Sequence, residues 1–340
     1  MKKYNINFLY LLTICYLALT ILGPLTASDI TPRLLEHYDE ESIITVIHDE
    51  VPNLTINSIK LISSGWDNLV ADINDEWIFR FPRSEVYILI FERDKKLLDL
   101  LHKQIMMMIP IYEYVGVHTS FVAYRKIPGK ALHKNTYLTL PVETRQQIAD
   151  TLALFLTQLH NAINIDEALQ WGYKEYRLSL QWIEGSLFGT IPSKEVERIL
   201  REALAYEEGH PCDKENQVFL HNDLHGENLA IDRHTSQVNG VFDFSDAVIG
   251  DYSIDFGKLF EIHEDLAIRT AETYVHLTGK ENPVFAGAVD YILRRGQYIL
   301  YARENGEKVH ESRLLLMLEN FVSVWDKLNG VTKNEESCCI

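Results

Sequence analysis

The chain has 340 residues, 24% charged and 46% hydrophobic, which excludes a disordered, fibrous or repeat protein and leaves room for a sizeable core. Asp and Glu number 49 against 32 Lys and Arg, a net charge of -17. Such a surface repels a phosphate backbone, so no nucleic-acid partner is expected, whereas a cationic small molecule is attracted.

Lys2 and Lys3 precede an uncharged run from Phe8 to Leu22, then Gly23-Pro24 and Leu25-Thr26-Ala27. Residues 1–28 therefore read as a secretory signal peptide cut after Ala27. The run is short for a membrane span, so if uncleaved it would be an N-terminal anchor and the sole membrane contact. Cys15, Cys212, Cys338 and Cys339 form no disulfide framework or metal spacing, which points instead to a reducing compartment.

From Ile56 to Phe81 the chain alternates in short runs. Asn57 to Ser63, Leu69 to Ile73 and Trp77 to Phe81 are separated by Ser64-Gly65-Trp66-Asp67 and by Asn74-Asp75-Glu76, which predicts a three-stranded antiparallel meander. Along its third strand, Ile78 and Arg80 share one face while Trp77, Phe79 and Phe81 share the other. A helix is predicted from about Glu85 to Lys103, with Leu89, Phe91, Leu97, Leu98 and Leu101 on its apolar face. Two more strands are expected near Ile111–Val115 and Phe121–Lys126.

Beyond Ile127-Pro128-Gly129 the pattern turns helical, over Pro141–Asn161, Lys194–Tyr206 and three amphipathic stretches between His263 and Lys327. One hairpin-like insert, Val218 to Phe244, interrupts it. The expected architecture is α+β and bilobed. A small antiparallel N-lobe with one main helix (29–127) precedes a larger, mostly helical C-lobe (128–330) and a tail (331–340).

The insert carries the chemistry. His221-Asn222-Asp223-Leu224-His225-Gly226-Glu227-Asn228 has the H-x-D-x-x-x-x-N spacing of phosphoryl-transfer catalytic loops. A carboxylate is needed to take a hydroxyl proton and orient attack, and Asp223 supplies it. A neutral oxygen ligand for magnesium is needed nearby, and Asn228 supplies that. Fifteen residues after Asn228, the apolar run Val241-Phe242 ends in Asp243, a second ligand for a hard cation bridging nucleotide phosphates. Upstream, such a site needs a strand cation and a helix acid, for which Arg80 and Glu92 are the candidates. The loop Ser63-Ser64-Gly65 is a poor glycine-rich loop, with one glycine.

His221-Asn222-Asp223-Leu224-His225, the run Val241 to Asp251, and Asp255-Phe256 together resemble the aminoglycoside phosphotransferase family, within the antibiotic and choline kinase-like superfamily. Gly65-Trp66-Asp67-Asn68 and Phe79-Arg80-Phe81-Pro82 are similar to its 2''-phosphotransferase branch, and Ile127-Pro128-Gly129 to the family's inter-lobe hinge. The resemblance spans roughly residues 56–305. It implies a protein kinase-like fold, Mg2+, ATP or GTP as donor, a cationic acceptor and a link to antibiotic resistance. By position it makes Asp223 the base, Asn228 and Asp243 the magnesium ligands, and Arg80 the nucleotide-phosphate contact. Ser64 and Gly65 would lie at the nucleotide, Glu92 would hold Arg80, and Tyr124, Lys126 and Ile127 would offer the purine backbone hydrogen bonds.

Departures accompany these matches. The family commonly has Lys where Arg80 stands, and the two are not interchangeable as phosphate ligands; Arg83 is the alternative contact. Asn222 replaces the Arg of protein-kinase loops and no A-P-E segment follows, which argues against a regulated protein kinase. His221 is expected to tie the loop to the core.

Residues 207–290 hold 17 acidic and 5 basic side chains. Among these acids, Asp246, Asp251, Glu261 and Asp265 are the candidates for an acceptor's positive charge. Tyr291, Arg294, Arg295 and Tyr298 read as surface or packing residues of a late helix. The expected protein is a monomeric small-molecule kinase, cytoplasmic or membrane-associated, with export the alternative if residues 1–28 direct it. Its alternatives are a metabolic kinase of choline, a sugar or an amino alcohol, and a catalytically dead nucleotide-binding module.

Overall fold

The computed structural model of the protein describes residues 32–63 and 67–338. The signal-like segment 1–28 and the turn residues Ser64 and Gly65 lie outside the described residues. Among the described residues, no helix is long and apolar enough to cross a membrane. The chain divides into two compact units. The first runs to Leu100 and includes Pro110–Lys126, and the second comprises Leu101–Ile109 and everything from Ile127.

The first unit is built on an antiparallel sheet of β1 (Ile59–Ile62), β2 (Asn68–Ile73), β3 (Trp77–Pro82), β4 (Tyr114–Val115) and β5 (Val122–Arg125), in the order β1-β2-β3-β5-β4. Asn74 and Asp75 both take positive φ, at 60° and 59°, the pair of left-handed residues that a tight β2–β3 hairpin requires. Trp77, Phe79 and Phe81 point to one face of β3 and are at most 3% exposed. They pack with Ile43 and Ile47 of α1 (Glu40–Glu50), a helix the periodicity did not announce. Its start is set by Asp39, whose carboxylate caps the Ser42 amide at 2.9 Å, and its last residue, Glu50, ties the helix to the loop at 117–119 by accepting the amides of Val117, His118 and Thr119.

The opposite face of β3 carries Arg80 and meets α2 (Glu85–Leu101), where the Arg80 guanidinium lies 5.8 Å from the Phe91 ring centre. Helical phase places Ile88, Phe91, Asp94, Leu97, Leu98 and Leu101 on the buried side. Leu89, expected on the apolar face, is 42% exposed, because its position is half a turn from that stripe.

The second unit is mostly helical. Its helices are α3 (Lys134–Thr139), α4 (Val142–His160), α5 (Ile165–Gln170), α6 (Leu180–Leu187), α7 (Lys194–Gly209), α8 (Ser253–Leu259), α9 (Glu264–Thr278), α10 (Val284–Glu304) and α11 (Lys308–Cys338). Helix α4 packs along α9, and α10 packs against α7, α8 and α11. The expected hairpin-like insert is instead two nested ribbons. Strand β6 (Gln217–Leu220) pairs with β9 (Val248–Asp251), and β7 (Leu229–Ile231) with β8 (Val238–Val241). Strand β9 went unforeseen because Val248-Ile249-Gly250-Asp251 is too short and too broken by glycine to show a period of two. Nesting has a consequence for position. The loop after β6 and the loop after β8 emerge together, and β9 leads directly into α8 beneath both.

Candidate active site

The loop after β6 is pinned by a carboxylate from α8. Asp255 is fully buried and accepts the amide of His221 at 3.1 Å and that of Asn222 at 2.7 Å. His160 of α4 presents Nε2 to the same carboxylate at 3.1 Å, with Nδ1 2.9 Å from the Tyr274 hydroxyl. Burial opposes ionisation of Asp255, but the His160 hydrogen bond and charge, with the Asn222 amide, hold its carboxyl below the usual range. This anchor keeps Asn222 at φ 63°, a left-handed conformation that asparagine tolerates better than most residues. Arg294, itself held by Asp290, donates to Asn222 Oδ1 at 2.9 Å, and the Asn222 amide group donates to the Asp246 carbonyl at 2.9 Å.

That turn delivers Asp223. Its Oδ1 accepts from Lys258 Nζ at 3.0 Å, and its Oδ2 faces His225 Nε2 at 3.2 Å and Asn228 Nδ2 at 2.9 Å. Partial burial would raise its pKa, but the His225 hydrogen bond and the Lys258 ammonium outweigh it and keep the carboxyl well below the ordinary carboxylate range. The His225 ring is oriented from behind, since its Nδ1 accepts the Glu227 amide at 3.2 Å and the proton therefore sits on Nε2. His221 bridges the two loops, as expected of a structural residue. Its Nδ1 accepts the Asp223 amide and its Nε2 donates to the Phe242 carbonyl, each at 3.2 Å, and burial pushes its pKa down.

Asn228 and Asp243 are drawn together by the main chain, because the Phe242 amide donates to the Asn228 carbonyl at 3.1 Å. Asp243 follows β8 in a left-handed conformation, φ 67°. Asn228 is 6% exposed, and its Nδ2 is committed to Asp223, to the carbonyl and to the carboxylate at 2.9 Å each. That assigns Oδ1 as the atom left to ligate. Among the described residues no group of three or more His, Cys, Asp or Glu forms a metal cage. One amide oxygen and one carboxylate instead fit magnesium, which is commonly held by one or two carboxylates and completed by water and phosphate oxygens.

The residues expected around the nucleotide lie mostly in the first unit, and two readings change. Arg80 is buried at 7% exposure, but Glu92 is exposed. The buried acid of α2 is Asp94, 1% exposed, which shares the helix face of Phe91 as Glu92 does not. Arg83 is exposed and donates to the Ser63 carbonyl at 3.3 Å. Tyr124 is buried and stacks on Tyr112 with ring centres 6.0 Å apart. The Lys126 amide, expected to face a purine, is already donated to Glu76 at 2.8 Å, and its ammonium is held by Asp72 and Asp75. Continuation of the β3–β5 pairing past the hairpin consumes that donor. Ile127, half-buried, opens the second unit.

The four acids assigned to an acceptor have different surroundings. Asp246 is exposed. Asp251 accepts the Ser253 amide at 2.9 Å at the entry to α8. Glu261 faces Arg295 at 3.1 Å and Lys258 at 3.6 Å, and these cations overcome its burial to keep its pKa low. Asp265 is gripped by Arg145 and Arg269 at 2.9 Å each and by the Tyr137 hydroxyl at 2.8 Å. Two of the four charges are thus balanced inside the chain.

Lys258, Arg294 and Arg295 contribute to the site without having been singled out for it by sequence, whereas Asp255 of the family-like Asp255-Phe256 pair supports the loop. Arg294 and Arg295, read as surface or packing residues, are 4% and 3% exposed and so belong to the packing. Their one available signal was the burial of a helix that is apolar on nearly all sides, from Val284 to Ala302.

A family model described as the phosphotransferase enzyme family matches residues 58–288. Among solved structures, the GDP complex of wild-type aminoglycoside 2'-phosphotransferase-IIIa is 23% identical with a TM-score of 0.71, over 83% of this chain and 97% of that one. A GDP and kanamycin complex of APH(2")-IIia is 23% identical with a TM-score of 0.70, over 85% and 99%. The apoenzyme of macrolide 2'-phosphotransferase MphH from Brachybacterium faecium is 18% identical with a TM-score of 0.59, over 82% and 97%. At these identities the likeness establishes the fold, an α+β, protein kinase-like one.

Proposed function

This chain belongs to the phosphotransferase enzyme family, and on that premise we propose that it is a small-molecule kinase. It transfers the γ-phosphoryl of ATP or GTP to a hydroxyl of a polar acceptor such as an aminoglycoside. The observation that carries the reading is the junction of the two loops, where Asn228 binds the Asp223 carboxylate through Nδ2 while its carbonyl holds the chain leading to Asp243.

Asp223 takes the acceptor hydroxyl. A carboxylate offers about four lone-pair directions. Lys258 uses one on Oδ1, and His225 and Asn228 use Oδ2, so the remaining direction on Oδ1 is the one for the acceptor. A carboxyl held this acidic is a weak base. It acts chiefly by orienting the hydroxyl, which suits a loose phosphoryl-transfer transition state in which proton loss comes late. Asn228 and Asp243 would hold a magnesium ion, which when bound neutralises phosphate charge. Arg80 takes the nucleotide-phosphate contact, with Asp94 replacing Glu92 as the acid of its helix face. Tyr124 to Ile127 line the purine through groups other than the Lys126 amide.

The GDP and kanamycin bound in the similar structure support a purine nucleotide donor and an aminoglycoside acceptor. A second reading, a metabolic kinase of a less cationic alcohol, is favoured by the internal balancing of Glu261 and Asp265. The test is a coupled nucleotide-consumption assay with magnesium and either ATP or GTP, run against kanamycin, gentamicin, a macrolide and choline. Stimulation by an aminoglycoside supports the first reading, and stimulation by choline alone supports the second. No acceptor-dependent consumption in any arm counts against both.

A further inference from the structure

Helix α8 grips the catalytic loop at two points one turn apart. Asp255 holds the backbone of residues 221 and 222, and Lys258, three residues on and on the same helix face, reaches the Asp223 side chain. The Lys258 side chain is 7% exposed. Its ammonium is within hydrogen-bond distance of Asp223 Oδ1 at 3.0 Å, while Glu261 stands farther off at 3.6 Å. Arg295, 3.1 Å from Glu261, completes a row in which charge alternates: Asp223, Lys258, Glu261, Arg295.

A buried lysine is a poor way to fill space. Taking an ammonium out of water is costly, and a methionine of similar length would pack there more favourably. What the ammonium adds is direction. His225 and Asn228 both bind Oδ2 while Lys258 binds Oδ1, so among these three partners its loss leaves the carboxylate free to pivot about its second oxygen.

We propose that Lys258 is a positioning residue that locks the Asp223 carboxylate so that one lone pair of Oδ1 is aimed at the acceptor hydroxyl. The proposal rests on the phosphotransferase reading above. It also implies that the floor of the acceptor site beside Asp223 is charge-balanced rather than acidic, so that the reacting hydroxyl's immediate neighbourhood on the acceptor need not be cationic.

The test uses the full chain with magnesium, GTP or ATP, and kanamycin as acceptor, comparing wild type, Lys258→Met and Lys258→Arg. Misaiming the carboxylate should lower kcat about 10- to 100-fold in Lys258→Met, with KM for nucleotide changed less than about twofold. Lys258→Arg, which restores a donor to Oδ1, should recover most of that loss. An unchanged kcat in Lys258→Met, or a fall in kcat that matches the loss of folded protein, overturns the proposal while leaving the kinase reading intact. A wild type that shows no turnover with kanamycin, gentamicin, a macrolide or choline would instead overturn the kinase reading and this role with it. Urea unfolding provides a readout independent of activity. Asp223→Asn strands the Lys258 charge and should lower the midpoint, and adding Lys258→Met should raise it again. Additive losses in the double variant would show that the two side chains are not coupled, contrary to the proposal.

Discussion

Asp255 accepts the main-chain amide of Asn222 at 2.7 Å from a position 33 residues later in the chain. The same carboxylate accepts the His221 amide and faces His160, so one buried group joins α4, α8 and the loop after β6. Asp255→Ala leaves His160 and two amides without their acceptor. Removing one partner of a buried, hydrogen-bonded set typically costs about 3 kcal/mol or more. Chemical denaturation should register that loss. Turnover should fall further than the loss of folded protein explains, because Asn222 is no longer kept in its left-handed conformation.

Asp223 and Asp243 should fail differently. If Asp223 orients the acceptor hydroxyl as proposed, Asp223→Ala should drop turnover by several orders of magnitude while magnesium–nucleotide still binds. On the proposed assignment Asp243→Ala removes a magnesium ligand, and calorimetry should then show nucleotide affinity that no longer depends on magnesium. Near wild-type turnover in the first variant would reject the assignment of Asp223. Unaltered magnesium-dependent affinity in the second would reject that of Asp243.

Gly226 occupies a position where a side chain has no room. A Cβ there would stand 2.1 Å from the Leu132 carbonyl oxygen, which is main chain and unable to swing aside. The Gly226 carbonyl in turn accepts the Leu132 amide at 2.9 Å. Gly226→Ala must therefore push the short turn that carries Asn228 away from the chain entering α3. An overpacking penalty of about 3 kcal/mol is expected. Magnesium-dependent nucleotide binding should weaken alongside it, while a surface alanine such as one replacing Glu227 should change neither measurably.

What was legible in the chain was mostly what is local. The separation of Asp223 from Asn228 is five residues, and the alternation that puts Trp77, Phe79 and Phe81 opposite Arg80 is a two-residue rule. Neither needs tertiary information. Choosing between Glu92 and Asp94 did need it, since the two acids lie on opposite sides of one helix and counting residues from Arg80 does not give the phase of α2. Lys258, Arg294 and Arg295 were illegible for a stronger reason. A buried cation is exceptional unless paired, and its partners Asp223, Asn222 and Glu261 are brought to it by packing of α8 and α10 rather than by spacing. The acidic excess of residues 207–290 misled in the same way. Asp255, Glu261, Asp265 and Asp290 all spend their charge on internal partners. A count of acids in a segment therefore says little about the field at the site.

Glu207, near the end of α7, carries a clear pH dependence. Burial pushes its pKa up, the Asp290 and Asp251 carboxylates push it further, and His210 only partly opposes them, giving about 7 against its usual 4.5. The folded chain therefore binds this proton more tightly than the unfolded chain does. Its contribution to stability is fully present below the unfolded value near 4.5 and is lost as pH rises through about 7. The displacement corresponds to at most about 3 kcal/mol. Glu207→Gln removes the ionisable group while keeping shape and hydrogen-bonding capacity. The variant should melt higher than wild type at pH 8, and the two should converge as pH is lowered to 5. A wild type and variant that differ by the same amount at pH 5 and pH 8 would show that the Glu207 carboxyl titrates near its usual value.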